Sequence, residues 1–143
     1  MLDLIIKNGQ CYINGEIKDV DIAIKDGKIQ QIGQISDGAK EIINAEGQTI
    51  LPGCIDTQTH FREPGSIDTE DLHSGSRAAI VGGITSVFEM PNTNPPTSNM
   101  KEFRRKLDLA KNRMYSNYAF YFGATADNAK DLASLKDLEG CCG

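Results

Sequence analysis

The fold is decided by residues 51–65, which read LPGCIDTQTHFREPG. The Pro-Gly pair at 52–53 interrupts regular structure, and the residues after it predict a strand from 54 to 60. A loop that contains Pro64 and Gly65 follows this strand. Side chains at alternate positions of an extended segment project to the same face. The side chains that share one face here are Asp56, Gln58, His60 and Arg62.

Two more strands follow the first at regular intervals. Residues 84–90 are nearly all apolar or β-branched, which is typical of a strand buried on both faces, and residues 118–122 predict a third strand. A helix is predicted after each strand: one that begins behind Asp71, one that begins at Asn99, and one over residues 129–138. The strands begin roughly thirty residues apart, which is the length of a βα unit.

Alternation of strands and helices predicts a parallel sheet with right-handed crossovers. A closed (β/α)₈ TIM barrel needs eight such units and about 250 residues, whereas this chain offers three units. We therefore predict an α/β fold in which residues 53–143 form the first part of a (β/α)₈ barrel. We expect the chain to stop before that barrel closes.

Residues 1–52 predict β-structure of a different kind. Val20, Ile22 and Ile24 alternate with polar residues, as in a half-buried strand. Three pairs predict hairpin turns, namely Asn8-Gly9, Asn14-Gly15 and Asp26-Gly27. These residues are predicted to form a small antiparallel sheet that is the N-terminal β-sandwich portion of the protein.

Composition excludes several classes of function. The net charge of −5, without any basic stripe, argues against a protein that binds nucleic acid or a membrane surface. No apolar run approaches the ~20 residues of a membrane span, and the N-terminus does not resemble a signal peptide. The four cysteines lack C-x-x-C spacing, so they predict neither a zinc knuckle nor a disulfide framework. We expect a cytoplasmic location.

The polar residues at the end of the first predicted strand carry the candidate chemistry. Barrel enzymes place their catalytic groups at the C-terminal ends of the strands. An imidazole such as His60 binds zinc there, and a guanidinium such as Arg62 holds a carboxylate through two parallel hydrogen bonds. A polar surface loop that merely caps a strand is the alternative, and a lone His beside an Arg favours it.

The motifs resemble those of a known family. Residues 56–60 resemble Asp-x-His-x-His, the first metal-binding motif of the amidohydrolase superfamily, in the form HFREPG (60–65) that is typical of dihydroorotases. The segment MPNTNP (90–95), at the end of the second predicted strand, is also similar to dihydroorotases. The resemblance covers essentially the whole chain, including the entry into the barrel at 51–56.

The resemblance implies roles for four residues. His60 corresponds to a ligand of the more buried zinc, while Arg62 and Asn92 correspond to the residues that bind the free carboxylate of dihydroorotate. Hydantoinases and allantoinases usually lack an Arg at the position of Arg62. Gln58 stands where the family has its first histidine, and we interpret it as a metal ligand, although an amide oxygen suits zinc less well than imidazole does.

The resemblance also implies an activity for the complete protein. This activity is the reversible zinc-dependent hydrolysis of dihydroorotate to N-carbamoyl-L-aspartate in pyrimidine biosynthesis, with one or two zinc ions. The catalytic aspartate and the remaining ligands are expected beyond residue 143, so this chain holds no catalytic residue and should be inactive alone. The expected partners are the small-molecule substrate and either a second copy of the protein or aspartate carbamoyltransferase.

Two alternatives stay open. Gln58 is compatible with a catalytically silent dihydroorotase-like subunit that supports aspartate carbamoyltransferase. A hydantoinase or allantoinase would have the same fold, but Arg62 with Asn92 argues against it.

Charged residues elsewhere predict structural roles. Glu89 lies inside a buried strand, which is costly unless the carboxylate is paired. The basic run on the second helix is predicted to be a solvated face and comprises Lys101, Arg104, Arg105, Lys106 and Lys111. His73 is predicted to be a surface or packing histidine.

Overall fold

The computed structural model describes residues 1–135 and 137–143. The chain divides into two compact units, Met1–Pro52 and Gly53–Gly143. No helix within the described residues is both long enough and apolar enough to cross a membrane.

The first unit consists of strands in two sheets. In chain order the strands are β1 Leu2–Lys7, β2 Gln10–Ile13, β3 Glu16–Asp19, β4 Asp21–Lys25, β5 Lys28–Gly33, β6 Ala39–Asn44 and β7 Thr49–Ile50. One sheet has the order β5-β4-β1-β6 and the other β3-β2-β7. Ile5 on β1, Ala23 on β4 and Ile35 between β5 and β6 form a buried cluster against the larger sheet.

Two of the three predicted hairpins are confirmed. Asn14-Gly15 joins the antiparallel strands β2 and β3, and Asp26-Gly27 joins β4 and β5. Both residues of each pair have positive φ, as a two-residue turn between twisted strands requires.

The hairpin predicted at Asn8-Gly9 is wrong, because β1 and β2 lie in different sheets. Asn8 instead binds distant residues: its backbone N–H donates to Asp21 Oδ1 at 3.2 Å and its side chain donates to Asn44 Oδ1 at 2.9 Å. The prediction of a purely antiparallel sheet is also wrong, since β1 pairs with β6 and β2 with β7 in parallel.

The second unit alternates strands and helices. Its elements are β8 Cys54–Thr59, α1 Leu72–Val81, β9 Ile84–Glu89, α2 Met100–Ala110 and β10 Asn117–Phe120. The three strands form a parallel sheet of order β10-β9-β8. The α/β class is therefore confirmed, while the extension of this sheet to a (β/α)₈ barrel stays a prediction.

Both helices begin where the sequence predicts. Asp71 caps α1 through a hydrogen bond of 2.6 Å from Ser74 N, and the Ser74 hydroxyl accepts one from Asp71 N at 3.2 Å. Asn99 caps α2 by accepting from Glu102 N at 3.0 Å. These bonds satisfy backbone N–H groups that the first turn of a helix leaves without partners.

The core of this unit lies between the sheet and the two helices. It consists of Phe61, Leu72, Val87, Phe103, Ala110 and Phe120. Full burial of each large apolar side chain is worth about 1.5–3 kcal/mol. The loops after β8 and β9 emerge side by side, because these two strands are parallel neighbours in the sheet.

The predicted third helix is wrong. After β10 the described residues contain only a short 3₁₀-helix, Leu132–Leu135. Side chains bind the backbone of this segment locally: Asn128 Oδ1 accepts from Thr125 N at 2.8 Å and Ser134 Oγ donates to Asp131 O at 2.6 Å. Such bonds compete with the regular bonds of an α-helix.

Candidate functional site

Two loops follow neighbouring parallel strands: the first loop, residues 60–65 after β8, and the second loop, residues 90–95 after β9. Met90 N donates to Thr59 O at 2.9 Å, and Asn94 N donates to Pro64 O at 2.9 Å. Gly65, with φ +126°, lies so close to Asn94 that a Cβ on it would stand 2.9 Å from Asn94 Cβ. The backbone therefore joins the two motif-bearing loops directly.

His60 and Asn92 are brought together across the two loops. His60 Nδ1 lies 2.9 Å from Asn92 Oδ1. Because an amide oxygen only accepts, this bond places the imidazole proton on Nδ1 and leaves the lone pair of Nε2 available. Both residues are exposed, so Nε2 and the Asn92 amide group are accessible to a ligand.

Arg62 projects from the first loop as an exposed cation. Among the described residues its guanidinium has no hydrogen-bond acceptor and no ion-pair partner. Its positive charge still acts on a carboxyl group nearby. It lowers the pKa of Glu89, against the larger rise that burial causes. Five N–H donors in a planar fork are thus available to an external anion.

Gln58 lies in β8 and is exposed. Its backbone N–H donates to Asp56 Oδ1 at 2.9 Å, so Asp56 orders the strand end just before the first loop. No hydrogen bond joins the Gln58 side chain to another described residue. The structure thus joins His60 to Asn92, but it does not join Gln58 to either of them by a hydrogen bond.

His60 fits the role of a zinc ligand. A metal-binding histidine donates its other ring N–H to an oxygen, and Asn92 Oδ1 accepts such a bond here. Zinc takes at least three protein ligands. Among the described residues no group of three or more His, Cys, Asp or Glu side chains could hold a metal ion. The described chain therefore provides only part of a zinc site.

An ion pair with a buried carboxylate lies behind the first loop. Glu63, 7% exposed, accepts hydrogen bonds from Arg113 Nη1 at 2.8 Å, Arg113 Nη2 at 3.1 Å and Leu72 N at 3.0 Å. Fifty residues separate Glu63 from Arg113, so no local sequence pattern indicated this pair. In the sequence, Glu63 is followed by Pro64 and Gly65, and these residues indicate only a turn.

A second ion pair, Lys106 with Glu89, lies behind the second loop, and both side chains are 0% exposed. The prediction that Lys106 belongs to a solvated helix face is wrong. Its ammonium also donates to Met90 O at 3.1 Å and lies 5.2 Å from the centre of the Phe120 ring. The long apolar stem of a lysine allows its charged end to cross the helix–sheet layer.

Burial dominates the electrostatics of this second pair. It raises the pKa of Glu89 to about 7, although the charges of Lys106 and Arg62 act in the opposite direction. Burial also lowers the pKa of Lys106, against the attraction of Glu89. Glu89 Oε1 has no hydrogen-bond partner among the described residues, so the carboxylate is incompletely solvated by the protein.

His73 has a structural environment on α1. Its Nε2 lies 3.3 Å from the Tyr115 hydroxyl, and the two rings pack edge to face at 5.1 Å. This contact agrees with the prediction of a surface or packing histidine.

The fold and the loops define an α/β protein with polar groups at the carboxyl ends of parallel strands. The model of the amidohydrolase family matches residues 49–137. The chain belongs to the amidohydrolase family.

Similar proteins cover nearly all of this chain. It is 41% identical over 137 residues to allantoinases of Escherichia coli O1:K1 / APEC and of Escherichia coli O139:H28, an alignment that covers 95% of this chain and 30% of each relative. The L-hydantoinase (dihydropyrimidinase) structure from Arthrobacter aurescens superposes with a TM-score of 0.87 at 31% identity, covering 96% of this chain and 31% of that one. A D-hydantoinase structure from Thermus sp. gives a TM-score of 0.75 at 26% identity, covering 92% of this chain and 30% of that one. The chain thus spans about 30% of the length of the curated relatives.

Proposed function

We propose that the complete protein containing this chain is a metal-dependent cyclic amidohydrolase. Membership of the amidohydrolase family supports this, as does similarity to proteins named allantoinase and hydantoinase. The geometry of His60 supports it as well, because Asn92 orients the ring and leaves Nε2 available. The chemistry that zinc supplies to such a site is activation of water and polarisation of an amide carbonyl.

We propose further that the substrate is dihydroorotate and the product N-carbamoyl-L-aspartate. Arg62 carries this proposal, because it follows His60 by two residues and its exposed guanidinium has no partner among the described residues. Dihydroorotate has a carboxylate on its ring, whereas allantoin and simple hydantoins do not. A planar guanidinium binds a carboxylate through two parallel charge-assisted hydrogen bonds.

Each loop residue then has a defined task. Arg62 binds the carboxylate, and this contact orients the ring over the first loop. Asn92 accepts from His60 through Oδ1, which leaves its amide N–H groups available to donate to the substrate. His60 offers Nε2 to the metal, with Gln58 as a second, weaker ligand. The proton transfer is assigned to an aspartate outside this chain.

An allantoinase is the second candidate, because the chain is 41% identical to allantoinases over 137 residues. In that enzyme Arg62 would have no carboxylate to bind. The silent subunit that supports aspartate carbamoyltransferase is a third outcome, in which no cyclic amide is hydrolysed.

The test is hydrolysis of dihydroorotate, allantoin and hydantoin by the complete zinc-supplemented protein. We expect dihydroorotate to be the preferred substrate. Arg62→Ala should lower kcat/KM for it by about 10- to 100-fold, mainly through KM, since a hydrogen bond to a charged group is worth about 1.5–3 kcal/mol. The matched control is Arg105→Ala, which removes an exposed cation on α2 that pairs only with Glu102 among the described residues.

Each other outcome contradicts part of the proposal. Preferred turnover of allantoin, with Arg62→Ala unchanged, would establish the allantoinase. A folded, zinc-loaded protein that hydrolyses none of the three compounds would contradict the enzyme and favour the silent subunit.

A further inference from the structure

The first loop is anchored on both sides of Arg62. Phe61, 7% exposed, belongs to the core between sheet and helices, and Glu63, also 7% exposed, forms the ion pair with Arg113. Arg62 between them is exposed. Because both of its neighbours are fixed, the direction in which Arg62 leaves the backbone depends on these two anchors.

In the Glu63 anchor, both carboxylate oxygens accept hydrogen bonds. Oε1 accepts from Arg113 Nη1, while Oε2 accepts from Arg113 Nη2 and from Leu72 N, the first backbone N–H of α1. The bidentate geometry fixes the plane of the carboxylate as well as its position. Glu63 thus ties the first loop to the start of α1.

Arg113 extends this anchor to α2. Its Nη1 donates to Leu109 O at 3.0 Å, and its Nη2 lies 3.7 Å from Oδ2 of Asp71, the residue that caps α1. One guanidinium therefore connects the first loop, the start of α1 and the end of α2. These are the elements that pack against the sheet behind the site.

The pair is only partly buried, because the Glu63 side chain is 9% exposed and the Arg113 side chain is 36% exposed. An exposed ion pair contributes little to stability, and a buried one often contributes no more than apolar residues of similar volume, because desolvation offsets the attraction between the charges. The two parallel hydrogen bonds of a bidentate pair do fix the orientation of the carboxylate. Here the carboxylate belongs to Glu63, the residue next to Arg62.

We propose that Glu63 and Arg113 are positioning residues that aim Arg62 at the carboxylate of the substrate. This inference rests on the proposed function. In this inference the pair does not touch the substrate. It affects the preference for a substrate with a carboxylate only by holding Arg62 in place. Loss of the pair should let the first loop move, and misplacement of a binding group by about 1 Å costs up to about 100-fold in rate.

The test is a double-mutant cycle of Glu63→Gln and Arg62→Ala in the complete protein, with dihydroorotate as substrate. We expect Glu63→Gln alone to raise KM about tenfold while kcat stays within about threefold. Together with Arg62→Ala it should add nothing to the effect of Arg62→Ala, since both act through one contact. Arg113→Lys keeps the positive charge but cannot form the two parallel hydrogen bonds to Glu63, so it should behave like Glu63→Gln.

A purely structural role gives different results. It would lower kcat through a smaller active fraction, leave KM unchanged and add to the effect of Arg62→Ala; any of these would overturn the inference. The matched control is Glu102→Gln, which removes the carboxylate of the Glu102–Arg105 pair on α2 and should leave both constants unchanged.

Backbone amide hydrogen exchange separates this inference from the proposed function. Exchange in residues 61–66 should be faster in Glu63→Gln than in wild type, and unchanged in Arg62→Ala and Glu102→Gln. If dihydroorotate is not a substrate, the proposed function fails while exchange still reports on the anchor. If exchange in Glu63→Gln equals that of wild type, the anchoring role fails whatever the substrate is.

Discussion

At the scale of single residues, Gly75 shows how tightly the first loop is fitted to its support. Glycine inside a helix is unfavourable, and α1 contains one as its fourth residue. A Cβ at this position would stand 2.5 Å from Phe61 Cδ1 and 2.6 Å from Cε1. The missing side chain therefore makes room for the ring that anchors the loop between His60 and Arg62.

Gly75→Ala should destabilise the protein by about 1–3 kcal/mol, as overpacking of a core does, although alanine is the better helix former. Denaturant unfolding of the complete protein measures the difference. Val81→Ala, at a position 83% exposed on the same helix, serves as the control and should stay within about 0.5 kcal/mol. A Gly75→Ala variant that is more stable than wild type would show that Phe61 has room to move.

At the scale of elements, the Lys106–Glu89 pair joins α2 to β9 directly behind the second loop. Lys106 also donates to Met90 O, so the helix contacts the first residue of the loop that carries Asn92. Burial raises the pKa of Glu89 from 4.5 to about 7. The folded protein therefore holds this proton more firmly than the unfolded chain does.

This difference predicts a pH dependence. Between pH 4.5 and about 7 the Glu89 carboxyl is mostly deprotonated in the unfolded chain and mostly protonated in the folded protein. Unfolding therefore releases a proton, and the free energy of unfolding falls as the pH rises. The slope contributed by one proton is at most about 1.4 kcal/mol per pH unit. Denaturant unfolding at several pH values should show this decline in wild type and a flatter profile in the double variant Glu89→Gln/Lys106→Met. A wild-type protein that gains stability over this range relative to the double variant would show that Glu89 is ionised in the fold.

Local signals predicted much of the second unit. Asp71 and Asn99 begin helices where their capping patterns indicated, and the strands at 54, 84 and 117 lie close to the predicted starts. These features depend on residues within one turn or one strand. Contacts between distant residues were not predictable in this way. The basic run on α2 predicts that Lys106 is exposed, because its partner Glu89 lies on another element. The Glu63–Arg113 pair joins residues fifty positions apart.

For the candidate site the same distinction holds. The motifs indicated that His60, Arg62 and Asn92 belong to one site, and the structure joins two of them through the His60–Asn92 bond. Their roles with metal and substrate stay predictions. Asn8-Gly9 shows the limit of a turn signal, since the polar groups of Asn8 bind Asp21 and Asn44 instead of closing a hairpin.

At the scale of the whole chain, apolar side chains are exposed in both units. In the second unit β8 pairs only with β9 among the described strands, and Ile55 on it is 59% exposed. In the first unit Ile17 and Ile29 are 60% and 62% exposed. A strand with one unpaired edge and exposed apolar side chains is a template for association.

The 143-residue chain expressed alone should therefore self-associate and show no hydrolysis of cyclic amides. Size-exclusion chromatography with light scattering measures the association, and Ile55→Lys should reduce it, because a charge on an exposed strand disfavours pairing. The complete protein is the control for both activity and association. A monomeric chain that unfolds in a single cooperative transition would contradict this prediction.

The placement of Arg62 has a consequence for how substrate preference changes during evolution. Its neighbours Phe61 and Glu63 contribute to the fold, whereas Arg62 is exposed and has no hydrogen bond or ion pair through its guanidinium within the described chain. A single codon change at position 62 therefore alters an exposed charge while the packing behind it stays intact. Under the proposed function, anionic and neutral substrates are one mutational step apart on this scaffold, and we expect that step to carry little penalty in folding.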